Sequence, residues 1–509
     1  MDTETKNTKR IAKNTLVLYL RMFFLLAISL FTSRVVLQAL GVDNYGIYNA
    51  VGGIVAMFSL ISSSLTNSIM RFLSFELGKG DPIKLRKTFS TAINVMLLLS
   101  ALLLLLGETL GLWFLNNKMN IPEDRMIAAN WVLQCSILTF ITSLISIPYN
   151  AAIIAHEKMN AFAYISILEA LLKLLLAYAL VITMFDKLIC YSLYILAISI
   201  VIRLIYGIYC KRHFEECSYT FVRDRKILGG MLSFAGWNFF AQGALIVNTQ
   251  GVTLLINMFF GVAVNAARGI ATQINNIANQ FVNNFTTAIN PQITKSYATG
   301  DYEYMHRLIF SGAKFSYYLM FLIVLPICFE TKEILKLWLG IVPDHTVFFV
   351  QLTLLSSMFT ASNNTVITGL FATGQLKKFM LVVGIVEILN FPITYILFKL
   401  GASAEASYII YFVIYFILIF VRLFMAKDYL HMSANEYIKK VYYPMVRVSI
   451  IPCLIVWGLT MFFQDSAVRL FGVIIICIMT SCLSIYIFGL SKEEKTFVER
   501  TILKKIFNK

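Results

Sequence analysis

One stretch of the sequence carries a row of side chains that can bind a polar ligand. Residues 264–291 span about 28 positions, enough for a helix to cross a bilayer. Polar side chains recur along one face of that helix: Arg268, Thr272, Asn275, Asn279, Asn283 and Thr286. Neither lipid nor a dry protein core would satisfy all of these amides and hydroxyls. We expect this face to line a water-filled cavity inside a membrane protein; the alternative is hydrogen bonding between helices.

Charged side chains also fall inside apolar stretches, where each costs about 2.5–3.5 kcal/mol on insertion scales. Arg21 and Arg34 lie in the first predicted span, and Arg268 lies near the outer end of the eighth. Because a guanidinium stays charged and pairs with two phosphate oxygens at once, these arginines are candidates to hold an anionic headgroup. The alternative is that the side chain extends to the membrane interface, which is what we expect of Arg422 and Lys314.

Two carboxylates inside predicted spans are candidate H⁺ or Na⁺ sites. Glu169 has Lys173 one helical turn away, so an alternative is a self-neutralising pair. Glu387 has Asn390 nearby but no cation at helical spacing, and its alternative role is a protonated or hydrogen-bonded structural carboxyl.

The elements that must position these residues are membrane-spanning helices. Of the 509 residues, 59% are hydrophobic and only 14% are charged, too few for the surface of a soluble protein of this size. Hydropathy predicts an all-α membrane protein with about fourteen spans and no large soluble domain. The sequence has no HExxH, nucleophile elbow, Walker loop or paired-aspartate metal motif, and the eight cysteines lack metal-ligand spacing, so neither an enzyme nor a cofactor or metal site is indicated.

Positive charge predicts the orientation of the spans. The net charge is +16, from 43 Lys and Arg against 27 Asp and Glu. About 27 of the basic residues lie at the termini or in every second loop, against about 7 in the loops between. Both termini are therefore predicted to be cytoplasmic. The basic residues are scattered over many short loops, which does not favour nucleic-acid binding and is typical of contact with membrane lipids.

The sequence repeats itself at a spacing of about 216–225 residues, which corresponds to six spans. The segment Tyr48–Ile54 (YNAVGGI) returns as Val264–Ile270 (VNAARGI), and Gly80-Asp81 returns as Gly300-Asp301. An even number of spans gives both halves one orientation, with a pseudo-two-fold axis along the membrane normal. We predict an N-lobe at residues 1–210 (spans 1–6), a cytoplasmic linker at 211–227, a C-lobe at 228–430 (spans 7–12), and two further spans with a basic tail at 431–509.

The repeat places a second polar face opposite the first. The polar face of span 8 maps onto small and polar residues of span 2: Asn49, Gly52, Ala56, Ser59, Ser63 and Asn67. Two related helices with polar faces favour a cavity between the lobes, with Asn49 and Asn67 as further candidates for ligand binding.

With these features the chain resembles the polysaccharide-transporter branch of the multidrug/oligosaccharidyl-lipid/polysaccharide exporter superfamily, which includes the bacterial O-antigen and capsule flippases. The stretches that carry the resemblance are FAGWNFFAQGALIVNTQG in span 7, AVNAARGIATQINNIANQFVNNFTTAINPQI in span 8 and EILKLWLGIVP after span 9. The resemblance covers almost the whole chain, but its motifs are diffuse and specify the family better than the substrate.

The resemblance implies a flippase rather than an enzyme. Such proteins move an undecaprenyl-pyrophosphate-linked O-antigen, capsule or exopolysaccharide unit from the cytoplasmic to the periplasmic leaflet of the bacterial inner membrane by alternating access. In related lipid II flippases, arginines of the first and eighth spans bind the pyrophosphate; Arg21 and Arg268 match them by helix only. The last two helices of those relatives form a groove for the lipid tail. The implied partners are lipid-linked oligosaccharide, membrane lipids and other polysaccharide-assembly proteins, and a monomer suffices for the two-lobed plan.

Two other functions remain open. The first is a cation-coupled multidrug exporter of the same superfamily, although span 1 has two arginines and no carboxylate to attract a cationic drug. The second is a membrane-bound glycosyltransferase or ligase, which the absent acid clusters and the short outer loops disfavour.

Overall fold

The structure is a computed structural model that describes residues 3–56, 59–119, 121–222, 224–339, 342–462 and 467–499, and these residues form helices and connecting turns without a strand. The α-helices, numbered in chain order, are α1 (Thr3–Ala56), α2 (Ser59–Lys79), α3 (Pro82–Leu106), α4 (Leu112–Lys118), α5 (Met126–Ala155), α6 (Met159–Ile182), α7 (Lys187–His213), α8 (Arg225–Ile246), α9 (Val252–Thr299), α10 (Tyr302–Phe329), α11 (Thr331–Leu339), α12 (Thr346–Ala361), α13 (Asn364–Thr373), α14 (Leu376–Ile388), α15 (Asn390–Lys399), α16 (Ala406–Leu430), α17 (Ala434–Tyr437), α18 (Tyr443–Phe462), α19 (Ala467–Ser484) and α20 (Lys492–Val498). Single π-helical turns follow α3, α8, α17 and α19.

The predicted fold class is confirmed: the chain is an all-helical, multi-pass membrane protein. Among the described residues, 11 helices are long and apolar enough to cross a membrane. Three predicted spans, centred near Met57, Ile277 and Phe359, are not among these 11, and Met57 itself lies outside the described residues. Asn and Gln side chains dilute the apolar character of the second of these, and the third is a short apolar helix. The total of fourteen spans stays a prediction.

The chain divides into two compact units, Met1–Phe239 (unit 1) and Phe240–Lys509 (unit 2). In unit 1, α5 is the central helix and packs against α7, α2, α3 and α1. Its buried side chains include several alanines, among them Ala128, Ala129, Ala151 and Ala152. Side chains of that size let neighbouring helices approach closely, which is the main source of helix association inside a membrane.

In unit 2, α10 is packed against α9, α12, α13, α18 and α19. Two ion pairs fasten the C-terminal helices to it. Glu330, which ends α10, accepts two hydrogen bonds from Arg469 of α19 at 2.9 and 2.8 Å. Lys314 of α10 donates to both carboxylate oxygens of Glu494 in α20, at 3.1 and 2.9 Å. The expectation that Lys314 extends to the interface is therefore wrong: only 8% of its side chain is exposed, and a carboxylate from a helix 180 residues away neutralises it.

The repeat seen in the sequence recurs in the local backbone of the two units. Gly41 bends α1 with φ 76° and ψ 168°, and Gly261 bends α9 with φ 82° and ψ −173°. Only glycine adopts this region readily, so each glycine lets two long helices join without a loop. Asp81 and Asp301, also about 220 residues apart, each cap the next helix by accepting a backbone N–H.

A side chain that contacts a carboxylate also occupies equivalent positions in the two units. In unit 1, Arg125 just before α5 donates to Asp186 just before α7, with Nη1 to Oδ2 at 2.7 Å. In unit 2, His345 just before α12 contacts Glu405 just before α16. Each pair therefore ties the starts of two helices within its own unit, at positions about 220 residues apart.

Candidate functional site

The polar helix α9 exposes amides, but on a face rotated from the predicted one. After Gly261 its buried positions include Ala271, Ala278, Val282 and Thr286. Its exposed amides follow at helical spacing: Gln273, Asn276, Gln280 and Asn283. Of the predicted face, Thr272 and Asn283 are exposed, Asn275 and Asn279 are half-buried, and Thr286 is buried. The sequence analysis missed Gln273, Asn276 and Gln280, which the same spacing rule identifies once the stripe starts at residue 273.

The half-buried amides partly satisfy one another. The Nδ2 of Asn279 donates to the backbone oxygen of Asn275 at 2.9 Å and to its side-chain oxygen at 3.0 Å. Asn275 and Asn279 therefore stiffen one flank of α9. The exposed stripe beside them presents both donors and acceptors, as a hydroxyl-rich ligand requires.

Arg268 lies after the bend at Gly261 and reaches back across it. Its Nε donates to the Thr253 hydroxyl at 2.9 Å, and its Nη2 donates to the Thr249 backbone oxygen at 2.9 Å. Thr249 belongs to the π-helical turn Val247–Gly251, where the usual backbone pairing changes. Arg268 thus links the two sides of the bend while remaining half-buried, and its ligand-binding role stays a prediction.

In unit 1, Arg21 of α1 lies in a cluster with excess positive charge. Its guanidinium carbon is 4.3 Å from the centre of the Phe162 ring, and Glu169 and Tyr206 are near enough to interact with it electrostatically. Glu169 also accepts a hydrogen bond from Lys173 at 2.6 Å. The carboxylate therefore serves two cations, and the buried Nε of Arg21 donates to no acceptor in the described part of the chain.

Glu387 and Arg422 form a buried pair in unit 2. The Nη2 of Arg422 lies 3.5 Å from Oε1 of Glu387, and the two side chains are only 7% and 8% exposed. The expectation that Arg422 reaches the interface is wrong, because its side chain is buried against Glu387. The pair could not be recognised from helical spacing, because Glu387 lies on another helix, 35 residues away. The pair supports the structural alternative for Glu387.

The remaining predicted residues contribute less. Asn390 lies one turn from Glu387 but donates to Asn248 Oδ1 at 2.6 Å. Asn67 is half-buried. The side chains of Arg34 and Asn49 lie outside the described residues. In the described part of the chain, no group of three or more His, Cys, Asp or Glu side chains is placed to hold a metal ion.

Comparison with known proteins identifies the fold through solved structures rather than through sequence. No model of a known protein family matches the sequence. The uncharacterized membrane protein EpsK of Bacillus subtilis (strain 168) is 20% identical over 284 residues, covering 55% of this chain and 56% of EpsK. The chain therefore spans just over half the length of that curated relative.

Solved structures match over much more of the chain. One is an outward-facing multidrug resistance MATE family transporter of the MOP superfamily, with a TM-score of 0.66 and 13% identity over 84% of this chain and 96% of that one. A second is a MOP superfamily transporter from Pyrococcus furiosus, described as having a binding pocket of reverse polarity. It matches with a TM-score of 0.69 and 13% identity over 84% of this chain and 97% of that one. The MATE transporter ClbM in complex with Rb⁺ matches with a TM-score of 0.68 and 15% identity over 84% of this chain and 97% of that one. The chain therefore has the fold of the MATE transporters of the MOP superfamily.

Proposed function

We propose that the protein is a transporter that moves a lipid-linked, diphosphate-bearing oligosaccharide across the bacterial inner membrane, from the cytoplasmic to the periplasmic leaflet, with both termini in the cytoplasm. The observation that carries the proposal is the cluster around Arg21. The half-buried guanidinium of Arg21, whose buried Nε has no acceptor in the described part of the chain, lies near a carboxylate that already pairs with Lys173, so the cluster attracts an anion.

The exposed amides of α9 support the sugar part of the proposal. Gln273, Asn276, Gln280 and Asn283 supply donors and acceptors on one exposed stripe, and these match the hydroxyl and carbonyl groups of a glycan. Arg268, on the same helix, adds a half-buried cation at the end of that stripe. Undecaprenyl-pyrophosphate-linked O-antigen, capsule or exopolysaccharide units carry both groups, an anionic diphosphate for the cations and a glycan for the amides.

The fold by itself fits a cation-coupled multidrug exporter equally well, since one neighbour is a multidrug resistance transporter. Electrostatics separates the two candidates. A cationic drug requires an available carboxylate, whereas Glu169 is held by Lys173 and Glu387 by Arg422. The neighbour with a pocket of reverse polarity supports the idea that this fold also accommodates cargo of the other charge. Coupling to H⁺ or Na⁺ stays a prediction.

The test is complementation of a flippase-null strain, scored by surface polysaccharide and by the amount of protein in the membrane. Arg21→Ala is expected to abolish surface polysaccharide at normal protein level, and Arg21→Lys to restore part of it. Arg203→Ala is the matched control, because Arg203 also stacks on an aromatic ring of unit 1, with its guanidinium carbon 4.0 Å from the centre of the Tyr149 ring. Full output from Arg21→Ala would reject the anion site.

Arg268→Ala is also expected to abolish surface polysaccharide, but with some loss of stability, because the Thr253 hydroxyl and the Thr249 carbonyl each lose one hydrogen bond. Thr253→Val removes one of those hydrogen bonds and keeps the charge. Transport retained by Thr253→Val and lost in Arg268→Ala assigns the cation a role beyond packing, and equal loss in both would contradict it.

A further inference from the structure

A short extended segment of unit 1 is bound along α3. Residues 218–222 follow the turn after α7 and precede α8. Arg86, Ser90 and Asn94 lie one helical turn apart on a single face of α3, and each contacts the segment. Arg86 Nε donates to the Ser218 backbone oxygen at 3.3 Å, Ser90 Oγ accepts the Thr220 N–H at 3.3 Å, and Asn94 Nδ2 donates to the Val222 backbone oxygen at 3.0 Å. These bonds fix the backbone of the segment, which we call the strap.

The strap turns aromatic side chains outward. Phe221 is 81% exposed and Tyr219 is 46% exposed, although the Tyr219 hydroxyl donates to Asn94 Oδ1 at 2.8 Å. Ile83, at the start of α3, is 69% exposed. Because hydrogen bonds hold the backbone in place, exposure of Phe221 is a fixed feature of the surface rather than the result of a loose loop. Aromatic side chains in this setting are typical of a membrane–water interface.

Cations surround an open cavity where the strap meets α8. The cavity has a volume of about 600 Å³ and is lined by Lys87, Val222, Asp224, Arg225 and Lys226. Its one carboxylate, that of Asp224, accepts the backbone N–H groups of Lys226 and Ile227 at 2.9 and 3.1 Å and caps α8. The three cations are exposed, so the cavity presents positive charge to the surroundings.

We propose that this surface is a docking site for anionic phospholipid. The headgroup phosphate lies among Lys87, Arg225 and Lys226, and the exposed ring of Phe221 enters the interface beside it. The pairing of charge with an exposed aromatic ring selects lipid over a water-soluble anion, because a soluble phosphate would gain nothing from Phe221. The site lies in unit 1 outside the Arg21 cluster, and it does not depend on which cargo the protein moves.

The experiment measures lipid retention by the purified full-length protein with native mass spectrometry, using phosphatidylglycerol and phosphatidylcholine as probes. Replacing the cavity cations together, as Lys87→Gln, Arg225→Gln and Lys226→Gln, is expected to weaken phosphatidylglycerol binding about tenfold or more. Phosphatidylcholine binding is expected to stay unchanged. Phe221→Ser, which keeps all three charges, is expected to weaken phosphatidylglycerol binding severalfold.

The matched control removes three exposed lysines from other basic loops, as Lys158→Gln, Lys378→Gln and Lys427→Gln, and is expected to bind phosphatidylglycerol as the wild type does. Equal loss in the control would show that net charge alone governs binding and would overturn the proposal. Wild-type binding by the cavity variant would overturn it as well. Displacement of phosphatidylglycerol by equimolar inorganic pyrophosphate would overturn the lipid assignment and point to a soluble or cargo-borne phosphate.

Discussion

Glu387→Gln is expected to destabilise unit 2 by about 3–5 kcal/mol, because it leaves the Arg422 guanidinium buried without its counter-charge. The magnitude follows from the geometry. Opposite charges 3.5 Å apart attract by about 5 kcal/mol at an effective dielectric constant of about 20, and side-chain exposures of 7% and 8% leave little water to replace that attraction.

Removing both charges is expected to restore most of the stability. The Nε of Arg422 is buried with no acceptor in the described part of the chain, so the guanidinium does not make all of its possible hydrogen bonds even in the wild type. The double variant Glu387→Gln with Arg422→Met is therefore expected to lie within about 1.5 kcal/mol of the wild type. Chemical unfolding in mixed micelles measures this double-mutant cycle, and transport by each variant is scored in parallel.

The outcome also separates a structural carboxyl from a coupling carboxyl. The ion pair predicts that the double variant regains transport together with stability. A stable double variant that fails to transport at normal ion gradients would refute this reasoning and assign Glu387 a role in coupling. An unchanged stability of Glu387→Gln would refute the estimate of the pair's strength.

Three further predictions concern positions outside the Arg21 cluster. Burial alone would raise the pKa of Asp186, but hydrogen bonds from backbone amides and its arginine partner hold that pKa below its ordinary value. This stabilisation is present above about pH 3.9 and is lost as pH falls through the lower pKa of the folded state. Asp186→Asn should therefore make the free energy of unfolding fall less steeply at acid pH than in the wild type. Parallel plots of stability against pH for the two proteins would contradict this prediction. Glu494→Gln is expected to lower the free energy of unfolding by about 3 kcal/mol, because it leaves Lys314 buried without a counter-charge. Adding Lys314→Met should recover that stability, and thermal unfolding of the single and double variants measures both changes. Gly261→Ala is expected to lower the free energy of unfolding by about 1–3 kcal/mol, because φ 82° with ψ −173° is a backbone region that only glycine adopts readily, although no atom lies within 4 Å of the new Cβ. Gly269→Ala, in regular helix, should cost no stability, and equal effects of the two substitutions would refute the role of φ.

Sequence reasoning worked best where local chemistry decides the structure. The all-helical fold follows from apolar runs of spanning length, and the repeat is visible in part because each half needs a capping aspartate, at Asp81 and Asp301. The glycines at the two bends, Gly41 and Gly261, recur at the same spacing but were not part of that prediction. These requirements act within a few residues, so the sequence records them directly.

Contacts between distant helices were the part that could not be predicted. Arg422 and Lys314 were both expected at the interface, yet their carboxylate partners come from helices 35 and 180 residues away. Arg268 was identified as a cation inside a span, but its acceptor at Thr249 is a backbone carbonyl in a π-helical turn. Helical spacing within one segment contains no information about such partners.

The central claim is that the Arg21 cluster serves an anionic, lipid-linked cargo. Its most direct test is the purified protein reconstituted into vesicles that carry a labelled undecaprenyl-pyrophosphate-linked glycan, with appearance of the label in the opposite leaflet as the measurement. The proposal predicts movement by the wild type and by Arg203→Ala, and none by Arg21→Ala. Failure of the wild type to move the glycan, with gradient-driven transport of a cationic dye by the same vesicles, would contradict it.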